Sequence, residues 1–177
     1  MTGIPLAPLP DDVAREVEAL GARQINLYRC LAHAPDLLRA WMAFAWTLRR
    51  HDATPRRLRE LMILRTAMLH QSPYEWHQHR RMAADAGVTD LEVAELERWR
   101  TSQAFGPADR AALALTDAIV AGEVPGEVND ELARHFDHAQ RVELTVTAAF
   151  YSMVPRVLDA LGVPIEDDTG DEERGGV

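Results

Sequence analysis

Only one cysteine, Cys30, stands in the 177 residues, so the chain can form no internal disulfide and offers no dithiol pair for redox turnover. Its setting, Asn26 to His33, reads as an apolar helical run without an activating base, which predicts a buried and inert thiol. No apolar run approaches the roughly 18 residues that a membrane span requires. Residues 1–10 carry Pro5, Pro8 and Pro10 but no basic segment, so they read as a flexible terminus and not as a signal or transit peptide. A reducing, cytoplasmic setting is the expectation. No segment sustains the two-residue alternation of β-branched residues that marks a strand, and alanine, leucine, arginine and glutamate dominate, so helix is expected throughout.

Charge is present but unevenly placed. Of the formal −9, the acids Glu166, Asp167, Asp168, Asp171, Glu172 and Glu173 against Arg174 put −5 in the tail and leave −4 for the rest. Residues 166–177, with Gly170, Gly175 and Gly176 among those acids, read as a disordered acidic tail. Arginines gather at Arg49-Arg50, Arg56-Arg57-Arg59 and Arg80-Arg81, but acids are spread among them and no aromatic-basic motif accompanies them. Nucleic acid is therefore not an expected partner.

Between the two ends, residues 11–165 read as one antiparallel bundle of about eight helices, without repeats or a linker. Asp11 to Leu20, Gln24 to His33 and Pro35 to Arg50 supply the first of them. Thr54-Pro55 reads as cap and first residue of a helix carrying Leu58, Leu61, Met62, Arg65 and Met68 at helical spacing, and Ser72-Pro73 opens the next, which Gly87 closes. Thr89-Asp-Leu-Glu92 starts another, and Pro107 starts one that Gly122 ends. Asn129 and Asp137 are the expected caps of the last two, the final helix presenting Val142, Val146, Ala149, Phe150, Met153, Val157 and Leu161 as its apolar face, with Pro155 as a kink.

The chemistry-bearing residues concentrate between His70 and His79. On a helix that begins at Pro73, Glu75 and His79 are four apart and share a face, so the carboxylate can orient or polarise the imidazole near neutral pH. Glu60 joins them if its helix and theirs form an antiparallel hairpin. Glu75 has a second, purely structural reading, because Ser72-x-x-Glu75 is also a capping box, and Thr89-x-x-Glu92 uses the same device with no chemistry nearby. His79 likewise has the reading of a core histidine satisfied by a partner. His77 lies two positions from both and points elsewhere, while Trp41, Trp46 and Trp76 suit a core. Ligand types for a metal are present in His70, Glu75, His77 and His79, but an i, i+2 histidine pair diverges on a helix, so no metal is expected. A Glu75/His79 pair completed by Glu60 is the arrangement that would reverse this.

Three stretches, Arg59-Glu-Leu-Met-Ile-Leu-Arg-Thr-Ala, Tyr74-Glu-Trp-His-Gln-His79 and Ala83-Ala-Asp-Ala-Gly87-Val-Thr-Asp, resemble the core of the carboxymuconolactone decarboxylase and alkylhydroperoxidase-D superfamily. Leu31-Ala-His-Ala-Pro35, His135-Phe, Val142-Glu-Leu-Thr and Phe150-Tyr-Ser-Met-Val-Pro-Arg156 extend the resemblance over most of residues 25 to 163. It implies an all-α bundle that assembles into homo-oligomers, as trimers, hexamers or dimers. In the peroxidase branch two cysteines stand where this chain has Ser72 and Glu75, whereas Glu60 and His79 match that branch. The chain resembles instead the cysteine-less branch with Glu-x-x-x-His.

The resemblance implies a cofactor-independent enzyme, a lyase of the decarboxylase kind, acting on a small organic acid or lactone. His79 would exchange the proton, Glu75 would orient it and Glu60 would stand behind them. Ser72, Tyr74, Trp76 and Arg156 are the expected substrate contacts, with Arg156 the natural partner for a carboxylate. Two alternatives stay open: a non-catalytic oligomeric binding protein, and peroxidase-type antioxidant activity, which the missing dithiol disfavours.

Overall fold

The structure is a computed structural model that describes residues 3–20 and 23–166. Among the described residues it has nine α-helices, one short 3-10 helix after the sixth, and no strand. In chain order the helices are α1 (Asp11–Ala19), α2 (Asn26–Leu31), α3 (Pro35–Arg50), α4 (Arg56–Leu69), α5 (Pro73–Asp85), α6 (Asp90–Glu95), α7 (Pro107–Ala121), α8 (Gly126–His135) and α9 (His138–Leu161). No helix among them is long and apolar enough to cross a membrane. The chain divides into two compact units, residues 1–44 with 158–177, and residues 45–157.

In the first unit α1 buries Val13 and Val17, and α2 buries Leu27, Tyr28 and Cys30. Arg39 on α3 reaches Asp12 on α1 at 2.8 Å. Residues 3–10, expected to be flexible, lie outside any helix, with the Ile4 amide donating to Leu161 O at 2.9 Å and the Ala7 amide to Arg29 O at 3.1 Å. Glu166, grouped with the tail on composition, accepts from the Asn26 amide at 2.6 Å, so it satisfies a donor at the start of α2 that no side chain of Ile25 could. The remainder of the predicted tail, 167–177, lies outside the described residues.

The second unit is organised around α4, which packs against α5 and α7, while α7 packs against α8. Every residue from Leu58 to Ala67 is buried. Leu58 and Met62 join Ala111, Ala112, Leu115, Leu132, Leu144 and Ala148 in one core cluster, and Leu61 and Leu64 join Ala83, Val88, Leu96, Trp99, Phe105 and Leu113 in another. Each large apolar side chain so buried contributes about 1.5–3 kcal/mol. A helix covered on all sides must pair its charges: Arg65 donates through Nε to Asp117 Oδ1 on α7 at 2.7 Å.

Local signals for several helix ends hold. Thr89 and Glu92 form a reciprocal capping box, and Asp137 and Gln140 do the same at the start of α9. Three expectations need correction. Thr54 does not cap α4; its amide and hydroxyl both donate to the Glu143 carboxylate of α9, and Pro55 takes the cap position. Asn129 lies inside α8, because that helix begins three residues earlier, after Pro125. The buried face of α9 is turned from the expected one. Val142 is 64% and Met153 41% exposed, while Glu143, Leu144, Thr147, Ala148, Phe150, Tyr151, Val154 and Leu158 are buried. Hydrophobicity alone misjudged this face because it contains a polar stripe, Glu143, Thr147 and Tyr151, that finds partners or polar surroundings inside.

Candidate functional site

The turn between α4 and α5 is three residues long, and its middle residue, Gln71, adopts φ 51°, a left-handed conformation uncommon for a residue with a Cβ. The chain thereby doubles back, and Glu60 on α4 comes opposite His79 on α5. His79 Nδ1 lies 2.8 Å from Glu60 Oε2, with both side chains buried. A carboxylate at that distance accepts the Nδ1 proton, which leaves Nε2 as the nitrogen that can exchange one. Glu60 Oε1 is held in turn by an ion pair with Arg56, one helical turn earlier.

On the other side of the ring, Glu75 Oε2 stands 3.7 Å from Nε2. That is beyond hydrogen-bonding range but close enough to act electrostatically on an imidazolium. Of the two carboxylates, Glu60 therefore contacts the imidazole directly, and Glu75 lies farther off, on the Nε2 side. The antiparallel hairpin is what decides this, since it delivers Glu60 nearer than the i, i+4 spacing delivers Glu75. The capping reading of Glu75 is only half realised. Ser72 Oγ accepts from the Glu75 amide at 3.4 Å, but the Ser72 amide already donates to Ala67 O at 2.9 Å, so the return half of a capping box has no donor to serve.

Burial is the largest influence on the Glu60 carboxyl and pushes it up, yet His79 and Arg56 together outweigh it and hold the carboxyl below the usual 4.5. Glu60 is therefore ionised at neutral pH and stabilises a positive charge on His79. Such a pair, with one imidazole nitrogen fixed and the other available, can take up and return a proton.

Tyr151, on α9, completes the site and was not among the residues expected. Its ring meets the His79 ring edge-on, with centroids 4.9 Å apart and planes at 87°. Burial pushes its hydroxyl up; the Arg49 guanidinium, within hydrogen-bonding reach, opposes this, and Glu75 and Glu60 add to it. The hydroxyl is therefore a neutral donor beside two carboxylates. The residues Glu143, Thr147 and Tyr151, each four apart and so on one face of α9, were the signal that could have found it.

The other expected contacts have local partners or packing of their own. Ser72 is the N-cap of α5, and Tyr74 is buried in its first turn. Trp76 is half-buried against the cluster of Leu61, Leu64 and Trp99. Arg156 is bound to the carbonyl and hydroxyl of Ser152 and lies 3.3 Å from His70 Nε2. His77 is exposed. Among the described residues no group of three or more His, Cys, Asp or Glu is arranged to hold a metal ion. The Glu60 oxygens are already engaged by His79 and Arg56.

An all-helical chain with a buried Glu–His–Glu constellation on a helical hairpin is the class that fold and site define. Residues 35–118 match the Carboxymuconolactone decarboxylase family. The uncharacterized protein YdfG of Bacillus subtilis (strain 168) is 26% identical over 110 residues, 60% of this chain and 75% of that one. Among solved structures, the alkylhydroperoxidase AhpD core of a peroxidase-related protein from Ralstonia eutropha JMP134 superposes with a TM-score of 0.79 at 21% identity, covering 93% of each chain. A cysteine-to-alanine variant of the debrominase Bmp8, in complex with 2,3,4-tribromopyrrole, superposes with a TM-score of 0.78 at 21% identity, covering 93% of this chain and 94% of that one. Residues 35–118 thus match that family and the chain shares the AhpD-like fold, and its one cysteine, outside the site, is consistent with the cysteine-less branch.

Cys30 does not substitute for a dithiol. It is buried, its Sγ faces Ile4 O at 3.8 Å, and burial pushes its thiol up, away from the reactive thiolate. Peroxide consumption with thiol donors should therefore be negligible in a coupled assay and identical in Cys30→Ser; robust turnover abolished by that substitution would contradict this reading.

Proposed function

We propose that this protein is a cofactor-independent acid–base enzyme that acts on a small organic acid or lactone, by decarboxylation or a related proton transfer, and that it works as a homo-oligomer. The observation that carries the reading is the 2.8 Å contact of buried Glu60 with His79 Nδ1, which leaves Nε2 for the substrate proton. In a decarboxylation the bond to the carboxylate carbon breaks, carbon dioxide leaves, and the electron pair passes into the adjacent carbonyl as an enolate. The Nε2 proton of His79 then goes to carbon, and solvent restores it. Such a sequence needs no oxidant or reductant. The match of residues 35–118 to the carboxymuconolactone decarboxylase family and the fold shared with a debrominase support an enzymatic role.

The test follows His79 by NMR across pH. Glutamine keeps the size of Glu75 and removes its charge, so Glu75→Gln should leave the fold intact and move the His79 titration midpoint to lower pH, because a nearby anion favours the imidazolium. A midpoint that stays in place would reduce Glu75 to a helix-end residue and remove one of the two carboxylates from the mechanism. In parallel, a panel of β-oxo acids and carboxylated lactones in deuterium oxide should reveal substrates that lose carbon dioxide or take up deuterium. Turnover that survives His79→Gln would overturn the proposal.

A further inference from the structure

A small recess lies beside the Glu60–His79 pair, lined by Leu48, Arg49, Arg56, Arg59, Thr147 and Tyr151 together with Ile63. Two atoms in its buried lining residues are unusual. Thr147 Oγ1 and Arg59 Nε are buried, in residues only 1% and 4% exposed, and neither has a hydrogen-bond partner among the described residues. Buried polar atoms are normally satisfied, and a helical threonine commonly donates back to the preceding turn, as Thr66 does to Met62 O at 2.9 Å and Thr116 to Ala112 O at 2.9 Å. Thr147 departs from its two counterparts and borders the recess.

The polar groups here are nearly all donors. Arg59 and Tyr151 contribute N–H and O–H, Arg49 and Arg56 contribute guanidinium groups, and Thr147 can donate its hydroxyl. The Glu143 and Glu60 carboxylates are occupied: Glu143 takes Arg59 Nη1 at 2.9 Å and Thr54, and Glu60 takes Arg56 and His79. What completes such a set is an acceptor, and three guanidinium groups around one position favour a charged oxygen over a water molecule. The free volume, about 10 Å³, suits a single oxygen atom with the rest of its molecule outside.

We propose that this recess is an oxyanion subsite that takes one oxygen of a small carboxylate, with Thr147 and Arg59 as its buried donors. The recess shares Tyr151 and Arg56 with the proton-transfer pair, so the anionic end of the substrate is read here and not at Arg156. The substrate assignment rests on the acid–base function proposed above, but binding of the anion does not require turnover.

The probe is acetate, followed through the Nε–Hε signals of the arginines in a ¹⁵N-labelled protein. Acetate should shift the Arg59 signal along a saturable curve, and chloride at equal concentration should not. Thr147→Val removes the hydroxyl and keeps the shape. It should weaken acetate binding by about tenfold or more, the value of one hydrogen bond to a charged group. Thr147→Ser should retain binding and so separates loss of the hydroxyl from disturbance of the helix. An absent or unsaturable response, an equal response to chloride, or equal affinity in Thr147→Val would each overturn the subsite. If acetate binds as described but the His79 experiments fail, the acid–base reading falls and the subsite stands; the reverse outcome removes only the subsite.

Discussion

Glu143→Ala should lower the stability of the protein by about 3–5 kcal/mol, the penalty typical of leaving one partner of a buried ion pair uncompensated. The Glu143 side chain is 1% exposed and accepts from four directions: the Thr54 amide at 2.7 Å, the Thr54 hydroxyl, His51 Nδ1 at 2.8 Å and Arg59 Nη1 at 2.9 Å. Arg59 also donates to the carbonyls of Leu48 and His51, so one buried guanidinium and one buried carboxylate tie the end of α3, the connection to α4 and the start of α9 into a single network. Alanine strands the arginine and two buried donors at once. Urea denaturation should show the midpoint falling with the slope unchanged. A loss below about 1 kcal/mol, the scale of an exposed ion pair, would show that the network is open to water.

Removing the orienting carboxylate should have the largest effect on activity. Glu60→Gln should reduce turnover of any substrate found in the deuterium-exchange screen by about 10²–10⁴-fold, the range associated with a positioned acid or base, and His79→Gln by at least as much. Glutamine can still hydrogen-bond His79 Nδ1, but it carries no charge to stabilise the imidazolium. A residual rate within about tenfold of wild type would assign Glu60 to structure alone.

Glu60 also has a pH signature. Its carboxyl is held below its ordinary 4.5 in the fold, so as pH falls the unfolded chain takes up the proton first. Its contribution is fully present above 4.5 and is lost as pH drops through the lower folded value. Glu143 and Asp117 are likewise lowered, in each case against the opposing effect of burial, by their hydrogen bonds and arginine partners. Stability should therefore decline from about pH 5 downward, and the decline should be shallower in Glu60→Gln. A steeper or unchanged acid slope in that variant would contradict the direction assigned to Glu60.

Much of this protein could be read from its sequence, and the parts that could are local. The helical class, the caps at Ser72, Thr89 and Asp137, the stop at Gly122 and the pairing of Glu75 with His79 on one helix face all follow from interactions within a few residues, which spacing encodes directly. Tertiary structure decided what depends on neighbours distant in the chain. It made Glu60 the direct partner of His79, sent Thr54 to Glu143 instead of the α4 cap, and drew Arg156 to His70 and Ser152. It also turned α9 so that Glu143, Thr147 and Tyr151 face inward, because buried charge and hydroxyl groups elsewhere in the fold supplied partners or a polar recess. Hydrophobic periodicity assigns polar residues to the outside by default, and only packing shows where the inside is polar.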